Sequence, residues 1–135
     1  MPAETILVVD DNSVNLKLTG VVLRTEGFQV YLAVDAEEGL EMLRALHPDL
    51  LLVDIQLPGM DGLELTRLVK QGAETRDIVV VALTAFAMQG DEQKAFDAGC
   101  DGYITKPIDT RTLHWRIREY LDRGTGALAP PPVSR

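Results

Sequence analysis

Three stretches of this chain are continuously apolar, rich in β-branched residues and end on an acid or a hydroxyl. They are Thr5–Asp10 (TILVVD), Leu50–Asp54 (LLLVD) and Ile78–Thr84 (IVVVALT). Continuous rather than alternating apolar runs suit strands buried on both faces, which occur in parallel sheets. Gln29–Ala33 (QVYLA) alternates and reads as an edge strand; Gly102–Thr105 (GYIT) is short and reads as the other edge.

Helical patterns separate these runs. Val14, Leu18, Val21 and Val22 share one face of a helix starting near Ser13, with Asn12 or Ser13 as cap and Gly27 as terminator. Leu16 and Leu23 fall on its opposite side. Ala36–Leu46 is a second helix, stopped by His47-Pro48. Leu65, Leu68 and Val69 place a third against the sheet. Met88–Ala98 is weakly amphipathic, holds Gly90 and ends at Gly99. Thr110–Leu121 is the last, with Leu113, Ile117 and Leu121 inward and Trp115 outward. The thin fourth helix reads either as a poor surface helix or as a low-stability element able to shift.

A β-α unit repeated five times implies an α/β doubly wound parallel five-stranded sheet with right-handed crossovers and helices on both faces. Residues 1–123 form the domain. The last twelve, 124–135, hold Pro130-Pro131-Pro132 without apolar period and read as a flexible tail.

The net charge of −8 disfavours nonspecific contact with nucleic acid or anionic membrane. One cysteine, Cys100, precludes an internal disulfide and fits a reducing, cytoplasmic setting; it reads as a small buried hydrophobe. No signal peptide and no membrane span are evident. His47 and His114 have no companions at metal-ligand spacing.

In such sheets the ligand site lies beyond the carboxyl ends of the strands. The residues there are Asp10 and Asp11, Asp54, Thr84 and Lys106. Three converging carboxylates repel one another unless neutralised. Mg²⁺ suits them: a hard cation that takes one or two carboxylates and keeps room for phosphate oxygens. One carboxylate is then left as a nucleophile toward phosphorus, Lys106 supplies a compact cation, and Thr84 donates a hydroxyl hydrogen bond.

The segments VVDDN (8–12), LVDIQLPGMDG (52–62), ALTAFAMQGD (82–91) and GCDGYITKP (99–107) resemble the receiver domain of two-component response regulators. The likeness runs from residue 4 to about 122, and is to stand-alone regulators of the cell-division and polarity type and to receivers of hybrid histidine kinases. It implies a flavodoxin-like (βα)5 fold with strand order 2-1-3-4-5. Asp54 resembles the phosphorylated aspartate and Asp10 and Asp11 the acidic pair. The carbonyl of Gln56 stands as a further Mg²⁺ ligand. Thr84 resembles the switch hydroxyl, Tyr103 the switch aromatic, and Lys106 the lysine followed by a cis bond to Pro107. The implied partner is a histidine kinase or histidine-phosphotransfer protein. Leu16, Pro107 and Ile108 stand as its docking patch and Trp115 as an interface anchor. Output would pass through the surface of the fourth helix, fifth strand and fifth helix, without DNA binding.

Phe86 and Gln56 lie two residues after Thr84 and Asp54, so both would flank an acyl phosphate; Phe86 would either shield it or simply pack. Gly59–Gly62 (GMDG) reads as turn chemistry that also sets the height of the loop beside Asp54.

Two rivals share the fold. A phosphatase of the haloacid dehalogenase type would need a general acid two residues after the nucleophile, where this chain has Gln56. A flavodoxin would need a Ser/Thr-rich loop after the first strand, where this chain has two aspartates. A receiver cut from a larger regulator is the third alternative; the chain starts at Met1 and shows no second domain, so a stand-alone receiver is expected.

Overall fold

The structure is a computed structural model that describes residues 4–57, 59–84, 91–106 and 108–124, with only the backbone at 91 and 92. The elements run β1 (Thr5–Val9), α1 (Ser13–Thr25), β2 (Gln29–Ala33), α2 (Ala36–Leu46), β3 (Leu50–Asp54), α3 (Gly62–Gln71), β4 (Val79–Thr84), α4 (Asp91–Ala98), β5 (Gly102–Thr105) and α5 (Leu113–Arg123). All strand pairs are parallel, in the order β2-β1-β3-β4-β5. This is the expected order.

The continuous apolar runs are the three central strands, and β1, β3 and β4 are buried almost throughout. Side chains alternate across the sheet, so two cores form. Leu7, Val9, Leu51, Val53, Val80 and Ala82 pack on one side toward α2 and α3, with Leu43, Leu65 and Val69. Ile6, Val8, Leu52, Val81 and Leu83 pack on the other toward α1 and α5, with Leu23, Leu113 and Ile117.

Local signals fix the helix starts. The side chains of Asn12, Asp35 and Asp61 each accept a hydrogen bond from the backbone N–H three residues on, capping α1, α2 and α3. Helix α2 has the expected bounds, and His47 closes it in the left-handed region at φ 46°.

Three expectations are corrected. First, α1 is rotated: Leu16, Thr19, Gly20 and Leu23 face the sheet, while Val14, Leu18 and Val21 are exposed, Val14 at 72%. The buried stripe has the i, i+3, i+4, i+7 spacing, but Thr and Gly carry little hydrophobic signal. Close approach to β2 demands a small residue, since a Cβ on Gly20 would stand 3.3 Å from Leu32. Second, Leu68 is half exposed, and Thr66 takes the buried place beside Leu65 and Val69. Third, α5 begins at Leu113 rather than Thr110. Asp109 holds residues 110–112 as a turn, its carboxylate accepting from the Arg111 N–H and its carbonyl from Thr112 and Leu113. The expected start of α4 at Met88, Gly90 and the tail beyond Gly124 lie outside the described residues.

Candidate functional site

Register brings the strand ends level. Val9 pairs with Val53, Asp54 with Leu83, and Thr84 with Thr105. The chain leaves β1 through Asp10, whose N–H donates to the Ala33 carbonyl, and leaves β5 through Lys106, whose N–H donates to the Thr84 carbonyl at 2.7 Å. Asp10, Asp11, Asp54, Thr84 and Lys106 therefore meet at one edge of the sheet, as the sequence implies.

Asp10, Asp54 and Thr84 are buried, whereas Asp11 is exposed. The backbone aims the two buried carboxylates: Asp10 Oδ1 accepts from the Asn12 N–H at 2.9 Å, and Asp54 Oδ1 accepts from the Gln56 N–H at 2.8 Å. Lys106 Nζ bridges the free oxygens, 2.7 Å from Asp54 Oδ2 and 3.3 Å from Asp10 Oδ2. Asp10 Oδ2 feels that charge but has no hydrogen-bond partner among the described residues. Burial, with the Asp54 charge adding to it, pushes the Asp10 carboxyl above its ordinary range; the Asn12 N–H and Lys106 only partly offset this. Burial works against the charge on Lys106, but the bond to Asp54 and the charges of Asp54 and Asp10 outweigh it, so its pKa rises and it stays protonated.

Two buried carboxylates and a third at the mouth face a single lysine. One oxygen from each of Asp10, Asp11 and Asp54 lies within 4.8 Å of the other two. An orphaned buried carboxylate oxygen beside two further oxygen donors is a fitting environment for a hard divalent cation.

Gly59–Gly62 reads in the sequence as a turn that also sets the loop height beside Asp54, and the structure adds that Gly62 packs directly on the Asp54 backbone. It opens α3 against the end of β3, where a Cβ would stand 2.2 Å from the Asp54 carbonyl oxygen and 2.7 Å from Ile55 Cα. The glycine in GMDG was the available signal. Gly59, by contrast, is needed for its left-handed φ of +71°.

The residues expected to meet a partner divide. Leu16 is 5% exposed and packs in the core beneath α1, so it offers no docking surface. The same rotation buries Leu23. Ile108 is half-buried and packs against the α1/α5 core. Trp115 is 66% exposed, its ring 5.2 Å from that of His114. Phe86 and Pro107, with its bond from Lys106, lie outside the described residues. Tyr103 is half-buried against the α2/α3 core. Cys100 is buried, and desolvation pushes its thiol up to about 11. His47 is exposed and pairs with Asp77; His114 is half-buried near Glu26.

The sequence profile of the response regulator receiver domain matches residues 6–118. This chain belongs to the response-regulator receiver family. It is 41% identical over 118 residues to the polar-differentiation response regulator DivK of Brucella ovis, covering 87% of this chain and 96% of that one. Solved structures agree in fold. A response regulator from Chloroflexus aurantiacus superimposes with a TM-score of 0.86 at 33% identity, over 90% of this chain and 99% of that one. A CheY-like receiver domain protein from Methanospirillum hungatei gives 0.82 at 34%, over 90% and 95%. The signal receiver domain of a histidine kinase from Syntrophus aciditrophicus gives 0.82 at 27%, over 97% and 99%. The expected likeness to polarity regulators and to kinase receivers is thus found. The chain is a receiver of two-component signalling, a class whose partners are histidine kinases and phosphotransfer proteins. Among the described residues no helix is long and apolar enough to cross a membrane.

Proposed function

We propose that this receiver works in the cytoplasm and takes a phosphoryl group onto Asp54 from a phosphohistidine, in a reaction that its own residues promote and that needs Mg²⁺. The observation that carries the reading is the Lys106 ammonium held between Asp54 and Asp10, with Asp11 at the mouth of the same cluster. Asp10, Asp11 and Asp54, with the Gln56 carbonyl, are the oxygen donors that would hold the ion. When bound, it supplies positive charge against the phosphoryl oxygens and relieves repulsion among the carboxylates.

The protein's own groups do the rest. A carboxylate oxygen of Asp54 attacks phosphorus, the nitrogen–phosphorus bond breaks, and its electron pair returns to the donor imidazole. The Gln56 N–H and Lys106 orient the Asp54 carboxylate for this attack. Lys106 and the Thr84 hydroxyl then engage the new phosphoryl oxygens. Slow hydrolysis of the acyl phosphate resets the domain. The chain is thus a signalling phosphoacceptor and does not turn over an external substrate.

Tyr103 turns inward as Thr84 moves toward the phosphoryl group, and the surface of α4, β5 and α5 changes its affinity for a protein target, with Trp115 as an anchor. Phosphorylation biases an equilibrium that exists before it. The phosphodonor docks over the exposed face of α1, on Val14, Leu18 and Val21. Those three exposed apolar residues form one helical stripe that starts in the first turn of α1, beside the site, and runs past the middle of the helix.

The test is intact mass after incubation with acetyl phosphate and Mg²⁺. One added phosphoryl group that requires Mg²⁺ and is absent from Asp54→Asn supports the reading. No adduct on the wild-type protein and no Mg²⁺ binding overturn it.

A further inference from the structure

Strand β5 is the outer strand beside β4, so its main-chain groups that point away from β4 face no further strand among the described residues. At Tyr103 side chains of α5 take them up. The Tyr120 hydroxyl donates to the Tyr103 carbonyl at 3.1 Å and lies 3.4 Å from the Tyr103 nitrogen, which donates to it. A phenol hydroxyl can do both at once. Arg116 Nη2 donates to the same carbonyl at 3.1 Å.

Gly102 makes room for this arrangement. A Cβ there would stand 2.2 Å from Cε1 of the Tyr120 ring and 2.4 Å from its Cζ. The ring lies directly on the strand because residue 102 has no side chain. One phenol thus stands where a neighbouring strand would otherwise pair with Tyr103.

We infer that Tyr120, aided by Arg116, is a positioning residue for the switch: it ties the main chain of Tyr103 to α5, so that a change at Tyr103 is transmitted to that helix. This rests on the reading of Tyr103 as the switch aromatic. The main chain at 103 is held from both sides, by the ladder to β4 through its neighbours and by α5 through the phenol. Rotation of the Tyr103 side chain therefore strains a fixed backbone joined to α5. Arg116 is the next residue after Trp115, so the tie reaches the most exposed apolar side chain of α5 within one residue.

Tyr120→Phe keeps the ring over Gly102 and removes both hydrogen bonds. The first readout is amide exchange in the unphosphorylated protein. The Tyr103 amide is expected to exchange roughly tenfold faster, with Leu7 and Leu52 in the central strands unchanged. The second is the shift of the Trp115 indole and Arg116 amide resonances on phosphorylation by acetyl phosphate with Mg²⁺. The variant is expected to take up one phosphoryl group as fully as wild type but to show less than about half the wild-type shift. Gly102→Ala, which displaces the ring but keeps the hydroxyl, is expected to give the same pair of results. Unchanged exchange at Tyr103 in Tyr120→Phe overturns the inference. So does acceleration shared by Leu7, which marks general loss of stability, or a full wild-type shift at α5. Absence of any adduct on the wild type, read by mass, removes the receiver chemistry itself; faster Tyr103 exchange in the variant would then mark a purely structural fastening of β5.

Discussion

Gly62→Ala is the sharpest mechanical test of how the fold carries the site. The added Cβ would fall 2.2 Å from the Asp54 carbonyl oxygen and within 3 Å of Ile55 Cα and the Asp54 carbonyl carbon. Contact between such atoms needs upward of about 3.2 Å, so α3 and the end of β3 must part by roughly 1 Å. The opposing atoms are backbone, and no side-chain rotation relieves the clash. Overpacking of this kind costs about 1–3 kcal/mol, and a rigid backbone neighbour puts it near the upper end. Alanine returns less than about 1 kcal/mol through helix propensity at the first residue of α3. The net loss is about 2 kcal/mol, a fall in melting temperature of roughly 6–10 °C for a domain of this size. Because the displaced carbonyl belongs to Asp54, uptake of phosphoryl from acetyl phosphate should slow roughly tenfold under conditions where the variant is fully folded. Gly59→Ala is the control: its φ is +71° but nothing lies within 4 Å of a Cβ there, so it should lose only about 1 kcal/mol and keep wild-type uptake. Scanning calorimetry and a mass-based time course read both quantities. A Gly62→Ala melting point within about 2 °C of wild type, with unchanged uptake, would refute the steric reasoning.

Three further outcomes are expected. Asp101 is buried and its Oδ2 accepts from Lys70 Nζ at 2.7 Å and the Val80 N–H at 2.8 Å, so Asp101→Ala should cost about 3–5 kcal/mol in urea titrations. Adding Lys70→Met to that variant should recover part of the loss by removing an ammonium that has lost its counter-ion and keeps only the Ile78 and Arg76 carbonyls. Burial tends to lower the His47 pKa, but its bond to Asp77 outweighs this and raises it above 6.5, so their pairing stabilises the fold fully below pH 6.5 and is lost as pH rises through the folded value. Both partners are exposed, so Asp77→Asn should cost no more than about 1 kcal/mol at pH 5.5 and nothing at pH 9, read from paired thermal melts. Leu18→Asp, on the exposed face of α1, should leave stability within about 0.5 kcal/mol and acetyl phosphate uptake unchanged, while slowing transfer from a phosphohistidine donor roughly tenfold or more.

The five strands, their parallel sheet and the convergence of Asp10, Asp11, Asp54, Thr84 and Lys106 were legible in the sequence because each follows from a strong local pattern, whereas the strand order came only with the family resemblance. Buried parallel strands are continuously apolar, and the polar residues that end them must lie at one edge. The face of α1 was not legible. Its outer side carries valines and a leucine, while its inner side needs Thr19 and Gly20 to approach β2. Hydropathy counts the first and misses the second. The same blindness to close approach hid the tight backbone contact at Gly62 and the role of Gly102, whose missing side chains make room for the Asp54 carbonyl and the Tyr120 ring. The buried Lys70–Asp101 pair joins residues 31 apart, and nothing local marks it.

Acyl phosphate on Asp54 is the claim on which the proposed chemistry stands, and reductive trapping tests it directly. The protein is phosphorylated with acetyl phosphate and Mg²⁺, reduced with borohydride to convert an aspartyl phosphate to homoserine, and mapped by peptide mass spectrometry. The proposal predicts conversion at Asp54 alone, lost when Mg²⁺ is withheld. Conversion at Asp10 or Asp11 instead, or none anywhere in a protein that retains its fold, would contradict it.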